Sequence, residues 1–532
     1  MFDLVIRGGL VVDGTGAPGR RGDVGIVGDR VRAIGELGEA EAALVVNAAN
    51  KVVVPGFVDP HSHSDWTLQA NRDADSTIRQ GVTTEVVGNC GISNAPVSEA
   101  SEALVASRLR SYGYPGGPTW HSFEEYLAEV SSGGTAQNLA FFVGHSTVRA
   151  ATGVGPRAAT EAEVEKMAAY VAEALAAGAL GMSTGLEYSD GRYAATREIA
   201  ELVKVVARRN GYYASHIRNR DAHLLEAVEE FLGIVGLSGA AGQISHLNVR
   251  EDTGAVPRGW QRAVEMVETA RQRGMDVEAD TTPFLYGLGL MVGVLPEWLL
   301  ADGFEEAARR LSERSVRERA RGDCDRYWRF IAKGQWHRVR LQWSPQFPEW
   351  AGRRFPEIAE LAGKDEWDCY FDILAAAGPD MGDLSMVGDL FTEQHLAEMV
   401  SHPLFSLGVD TTTSSVKSPL AEITASPLPY RGHVEYLTHH VRERKTLTLE
   451  EAVHKMTAKP AERFGLQGRG TLREGSYADV VVFNFSTLDS ASSFEHPAVY
   501  PEGVDAVLVN GQLVVDRGAH TGRRPGRVLT RS

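Results

Sequence analysis

Two histidines one residue apart, His61 and His63, close the run Val54-Pro55-Gly56-Phe57-Val58-Asp59-Pro60. The run is apolar and rich in β-branched residues, which reads as a buried strand. On an extended strand, residues i and i+2 share a side, so both imidazoles can converge on one point past its end. Neutral imidazole is the commonest protein metal ligand, and this pair makes half of a metal site. Other potential ligands end later apolar runs: Cys90, His145, His216, His246, Asp280 and Asp410. Each alone is ordinary, since a lone Cys is usually a small buried hydrophobe and a lone Asp commonly starts a turn. Their coincidence at strand ends points to a metal centre. Nitrogen and sulfur donors with a carboxylate suit Zn²⁺ rather than Mg²⁺ or Ca²⁺.

The elements that must position these residues alternate strand and helix. Strands are expected at 54–63, 82–90, 139–145, 180–183, 212–216, 243–246, 276–280 and 404–410. Helices are expected near 68–79, 160–176, 196–209, 222–232 and 261–273, the second with Thr160 as N-cap and Glu163 at the capping-box position. Strands alternating with helices imply a parallel sheet, and eight units imply an α/β fold closed as a (β/α)8 barrel. In such barrels the active site lies at the C-terminal ends of the strands, where the candidate ligands stand. Residues 1–53 and 467–532 instead carry short β-like runs punctuated by Gly and Asp, predicting a small β-sandwich domain built from both termini. The barrel is then inserted as residues 54–466, since domains with adjacent termini accept insertions. Residues 285–400 exceed any ordinary loop and are expected to form a lid or subdomain over the site. Trp328, Trp336, Trp343, Trp350 and Trp367 crowd this stretch, and lid packing is their expected role.

Composition narrows the partners. Lys plus Arg total 54 against 70 Asp plus Glu, a formal charge of −16. That argues against a nucleic-acid partner, which needs clustered positive charge. The N-terminus lacks a basic region followed by an apolar core, and no uncharged apolar run has membrane-spanning length, so neither export nor a membrane is expected. Three cysteines are an odd, sparse set that fits a reducing compartment. A cytoplasmic enzyme acting on a small molecule is the expectation, and a homo-oligomer is compatible with it.

The motifs are specific enough to name a family. Pro55-Gly56-Phe57-Val58-Asp59-Pro60-His61-Ser62-His63, Gly88-Asn89-Cys90-Gly91, Gly144-His145-Ser146, Ser183-Thr184-Gly185-Leu186-Glu187-Tyr188, His216-Ile217-Arg218, Ile244-Ser245-His246, Asp410 and Gly475-Ser476-Tyr477-Ala478-Asp479 span nearly the whole chain. Together they resemble the amidohydrolase superfamily, and within it the N-acyl-D-amino-acid deacylase (D-aminoacylase) branch. The resemblance implies a zinc hydrolase of a linear amide. By the same resemblance Cys90, His216 and His246 would hold one tight Zn²⁺, while His61 and His63, sharing Cys90, would hold a weaker second metal or none. Asp410 is then expected to serve as general base and afterwards as general acid. Many relatives carry a carboxylated lysine on strand four, and this strand has no lysine.

Two departures concern the substrate. The branch has a lysine two residues past the strand-six histidine and a tyrosine ending its strand-seven motif, both holding the substrate carboxylate. Here these positions are Asn248 and Phe284. With Tyr188, Arg218 and Tyr286 they form the candidate substrate-binding set, and Arg218, Arg250 or Tyr286 are the residues available to replace the missing donors. Alternative readings are an amide or carbamate without an α-carboxylate, a cyclic amide, and a catalytically decayed scaffold barrel.

Overall fold

The structure, a computed structural model, describes residues 1–188, 190–324, 326–417 and 419–530. Eight strands run parallel around a barrel: β1 (Phe57–Asp59), β2 (Val82–Val87), β3 (Asn138–Gly144), β4 (Gly181–Gly185), β5 (Tyr212–His216), β6 (Ala241–Ile244), β7 (Val277–Thr281) and β8 (Phe405–Leu407). Each pairs with its neighbour in chain order. The ring closes just past the strand ends. There the Asp410 amide donates to the His61 carbonyl at 3.0 Å and the His63 amide to the Thr411 carbonyl at 2.8 Å. Candidate ligand residues therefore make part of the closure themselves. Residues of β2 and β3 are buried throughout, as expected for parallel strands with both faces covered.

The covering helices include α1 (Glu161–Ala177), α2 (Thr196–Arg208), α3 (Leu224–Ser238) and α4 (Gly259–Gln272). The capping box of Thr160 and Glu163 forms. Helix α3 runs past the expected 222–232 and stops at Gly239, whose φ of 73° supplies the left-handed C-cap. The helix expected near 68–79 shrinks to a four-residue turn, Asp75–Ile78. Ala74 has φ 49°, which breaks the helix. The polar side chains here bind the chain after β8 instead: Asn71 donates to the Ser414 carbonyl at 3.0 Å and Thr67 to that of Thr413 at 2.9 Å.

Strands from both ends of the chain meet in one nine-stranded sheet, joined where Val52–Pro55 pairs antiparallel with Val480–Phe483. Alternation along the strands divides its burial. Leu4, Ile6, Val53, Val480, Val482 and Leu508 gather in a core of their own, while Val52, Val54, Val481, Val507 and Val509 join the barrel's core. The small β domain is thus welded to the barrel.

Between β7 and β8 the chain builds a three-stranded antiparallel sheet, Tyr286–Leu290, Ser385–Asp389 and Val339–Leu341. Helices including Phe355–Ala362 and Glu366–Ala377 pack beside it. Trp328, Trp336 and Trp367 are buried there, with Trp336 edge-on to Trp367 at a centroid distance of 5.0 Å. Trp350 stacks on Phe347.

Candidate metal centre

The strand ends bring six side chains to one place. Cys90 Sγ lies 3.3 Å from His61 Nε2, 3.8 Å from His216 Nδ1 and 3.5 Å from His246 Nε2. Asp410 reaches the same point from β8, 3.1 Å from His63 Nε2, 3.4 Å from His61 Nε2 and 3.7 Å from His246 Nε2. Two ligand sets result, each with its donor atoms within 4.8 Å of one another: His61, His63, Cys90 and Asp410, and Cys90, His216 and His246. Asp410, its side chain 21% exposed, is the most open of the six, and the others are nearly sealed.

Holding them there costs backbone strain. Cys90, His246 and Asp410 have φ of 53°, 37° and 58°, a region non-glycine residues rarely enter and which costs about 1–3 kcal/mol each. Gly91 and Gly185 let the Cys90 turn close onto β4. A Cβ on Gly185 would sit 2.2 Å from the Cys90 carbonyl, and one on Gly91 would sit 2.7 Å from the Gly185 nitrogen.

A second layer aims the imidazoles. Asp280 on β7 faces His61 Nδ1 at 3.2 Å and accepts from the His246 amide at 2.7 Å, tying β1, β6 and β7 together. Glu187 binds His216 Nε2 at 2.8 Å, which turns Nδ1 toward Cys90. Arg250 clamps Glu187 at 2.8 Å and pairs with Asp221 at 3.1 Å. Arg220 donates to His246 Nδ1 at 2.8 Å. Such partners fix ring orientation at metal sites.

The electrostatics ask for a cation. Burial opposes ionisation of the Cys90 thiol, but His61, His216 and His246 around it hold its pKa well below the usual thiol range. Burial likewise opposes the Asp410 carboxylate, and His246, His61 and His63 hold it far below the ordinary carboxylate value. Burial disfavours a charged His63, yet bonds to Asp410 and Cys90 raise it to about 9. A thiolate and a carboxylate among imidazoles recruit protons; a divalent cation competes for the same donors. The donor set of sulfur, nitrogen and one carboxylate fits Zn²⁺.

The centre opens into a cavity of about 170 Å³, lined by His63, Cys90, Tyr188, His216, His246 and Asp410 at its floor. Of the five expected substrate contacts only Tyr188 lines it. Arg218, Asn248, Phe284 and Tyr286 do not, for identifiable reasons. The chain leaves the strand after His216, so Arg218 turns outward to Glu230 at 2.8 Å and to two carbonyls. The Asn248 amide folds back onto the His246 carbonyl at 2.6 Å. Phe284 packs with Val409 and Leu428 and stacks on Tyr286, which itself meets Phe494. Arg250 is consumed by Glu187 and Asp221. His145 lies outside the ligand sets, bonded to Glu198 at 2.9 Å.

Sequence reading did not single out Glu187 or Arg220. Glu187 stood inside a quoted motif beside Tyr188, and Arg220 falls four residues after His216. A charged residue next to a ligand strand was the available signal.

Residues 44–279 and 311–515 match the Amidohydrolase family. The chain belongs to that family. It is 33% identical over 535 residues to the D-aminoacylase of Alcaligenes xylosoxydans xylosoxydans, covering 100% of this chain and 98% of that protein. It superposes with a TM-score of 0.80 and 32% identity, over 100% of both chains, on a D-aminoacylase structure described for its binuclear metal centre, with one-metal activation and second-metal attenuation. It also superposes with a TM-score of 0.79 and 30% identity, over 100% of both chains, on N-acyl-D-glutamate deacylase from Bordetella bronchiseptica. That enzyme was complexed with zinc and a phosphonate mimic of the tetrahedral intermediate. This amidohydrolase is a metal-dependent hydrolase with deacylase relatives across its whole length.

Proposed function

We propose that this amidohydrolase cleaves a linear amide C–N bond, with Cys90, His216 and His246 holding one tight Zn²⁺. His61 and His63, with Cys90, offer a weaker second position. Bound there, Zn²⁺ polarises an amide carbonyl and lowers the pKa of water from 15.7 to roughly 7.

The chain's own residues supply the proton transfers. Asp410 is ionised and partly open to the cavity, so it takes a proton from the attacking water. The water oxygen bonds to the carbonyl carbon, the C–N bond breaks, and Asp410 returns the proton to the departing nitrogen. The products are a carboxylic acid and an amine. Burial, then the charge of Cys90, raises the Tyr188 phenol well above its ordinary value. It therefore stays protonated as a donor to the carbonyl oxygen. Its ring packs against His216 at a centroid distance of 4.5 Å.

The observation that carries this reading is the placement of Asp410, partly exposed at the cavity floor within a ligand set that shares Cys90 with a second one. Amine release from a panel of N-acylated D- and L-amino acids and neutral amides tests it, with Asp410→Asn as control. Turnover in the wild type, and its loss in a variant that keeps zinc, is expected. Wild-type rates in Asp410→Asn would refute the assignment. A zinc titration tests the second position: the rate rises with the first equivalent and falls with excess metal.

The same reading divides the chain into a terminal β domain, 1–53 with 467–532, and a catalytic barrel, 54–466, whose 285–400 segment covers the site. Its three cysteines are free and buried, which fits a reducing cytoplasm. Among the described residues no helix is long and apolar enough to cross a membrane.

A further inference from the structure

The cavity above the metal centre has a wall whose chemistry selects against charge. Trp66, Tyr112, Tyr327, Trp343, Leu288 and Leu384 are among the side chains that form it. Trp66 and Tyr112 pack together at a centroid distance of 5.3 Å. Among the described lining residues Arg220 is the one arginine or lysine, and it is already committed. It bonds His246 Nδ1 at 2.8 Å and faces Glu187 at 3.6 Å. With Arg250, Glu187 and Asp221 it forms a cluster of two positive and two negative charges that leaves none over for a ligand.

The remaining fixed charges of the wall are negative. Asp380 and Asp383 line the same cavity. Arg108 stands 3.8 Å from Asp383, and among the described residues Asp380 accepts from the neutral Ser107 hydroxyl. Gln342, Gln346 and Thr412 offer neutral hydrogen bonds, which serve an amide as well as a carboxylate and cancel no charge. A ligand carboxylate placed here would lose its hydration without gaining a counter-charge, a costly transfer. An apolar or aromatic group gains by leaving water for such a wall.

We propose that the substrate of this site is an uncharged N-acylated amine with apolar, aromatic substituents and no free carboxylate. The proposal rests on the amide-hydrolase reading above and is tested separately from it. N-acetylphenethylamine and N-acetyl-D-phenylalanine differ by one carboxylate, and the L-isomer controls for stereochemistry. The neutral amide is expected to exceed both acids in kcat/KM by at least about tenfold. Equal or faster turnover of either acid overturns the proposal and leaves amide hydrolysis standing.

Binding to the zinc-loaded Asp410→Asn enzyme, measured by calorimetry, gives a second readout. Tighter binding of the neutral amide supports the proposal even where no compound is hydrolysed, in which case the hydrolase reading fails and this one survives. Tighter binding of an acid, or no binding of any of the three, overturns it.

Discussion

The floor and the wall of the cavity are built differently. At the floor, donor atoms are aimed by partners on other strands: Asp280 for His61, Glu187 for His216, Arg220 for His246. At the wall, aromatic and aliphatic side chains from the chain between β7 and β8 meet loop residues such as Trp66 and Thr412, with few polar constraints. A fixed floor suits chemistry that must recur for any substrate. A loosely constrained apolar wall suits the part that distinguishes one substrate from another, because small changes there alter fit without touching the ligands. The difference teaches that reaction and specificity lie on separable parts of this chain.

That separation can be broken from either side. The largest effect is expected at the floor. Asp410→Asn should lower kcat by about 10²–10⁴-fold, the worth of positioned acid–base catalysis, while metal analysis finds zinc retained. Next, removing metal with a chelator should abolish turnover and lower the thermal midpoint, with both restored by Zn²⁺, since a ligand that binds only the folded state stabilises it. An unchanged midpoint would mean that the donor set holds no structural share of the metal's binding energy. Glu187→Gln removes the partner that aims His216 and should weaken zinc binding by about 10–100-fold, read by competition with a chromophoric chelator. The smallest effect is expected at the wall. Asp380→Asn with Asp383→Asn should raise the ratio of acid to neutral-amide turnover by about threefold to tenfold and leave zinc content intact. A fall in zinc there would show that floor and wall are coupled.

How much of this was legible in the sequence follows the same division. The floor was legible because a β-strand has period two and ends where its apolar run ends; position alone offered His61, His63, Cys90, His145, His216, His246, Asp280 and Asp410, and the resemblance to the deacylase branch set His145 and Asp280 apart from the ligands. The terminal sheet was legible for the same reason. The wall was not. Trp336, Trp343 and Trp350 are spaced alike in the chain, yet Trp336 is buried in the lid, Trp343 faces the cavity and Trp350 stacks on Phe347. Their directions depend on how the 285–400 segment folds on itself, which no local period encodes. Arg218 and Arg220 make the point in two residues. Both follow a ligand strand, but one turns out to Glu230 and the other in to His246, because regular alternation ends at His216. Asn248 and Phe284 signalled by identity that the usual carboxylate donors were missing; their positions outside the cavity came only from the fold.

The central claim is that a shared thiolate organises the metal centre, and zinc content with turnover in Cys90→Ala tests it most directly. After dialysis the wild type should keep about one tight zinc per chain, the structural expectation for a closed sulfur–nitrogen donor set. Cys90→Ala should lose that zinc and its activity together while remaining folded by circular dichroism. A folded Cys90→Ala protein that keeps its zinc and hydrolyses amides at the wild-type rate would contradict the account.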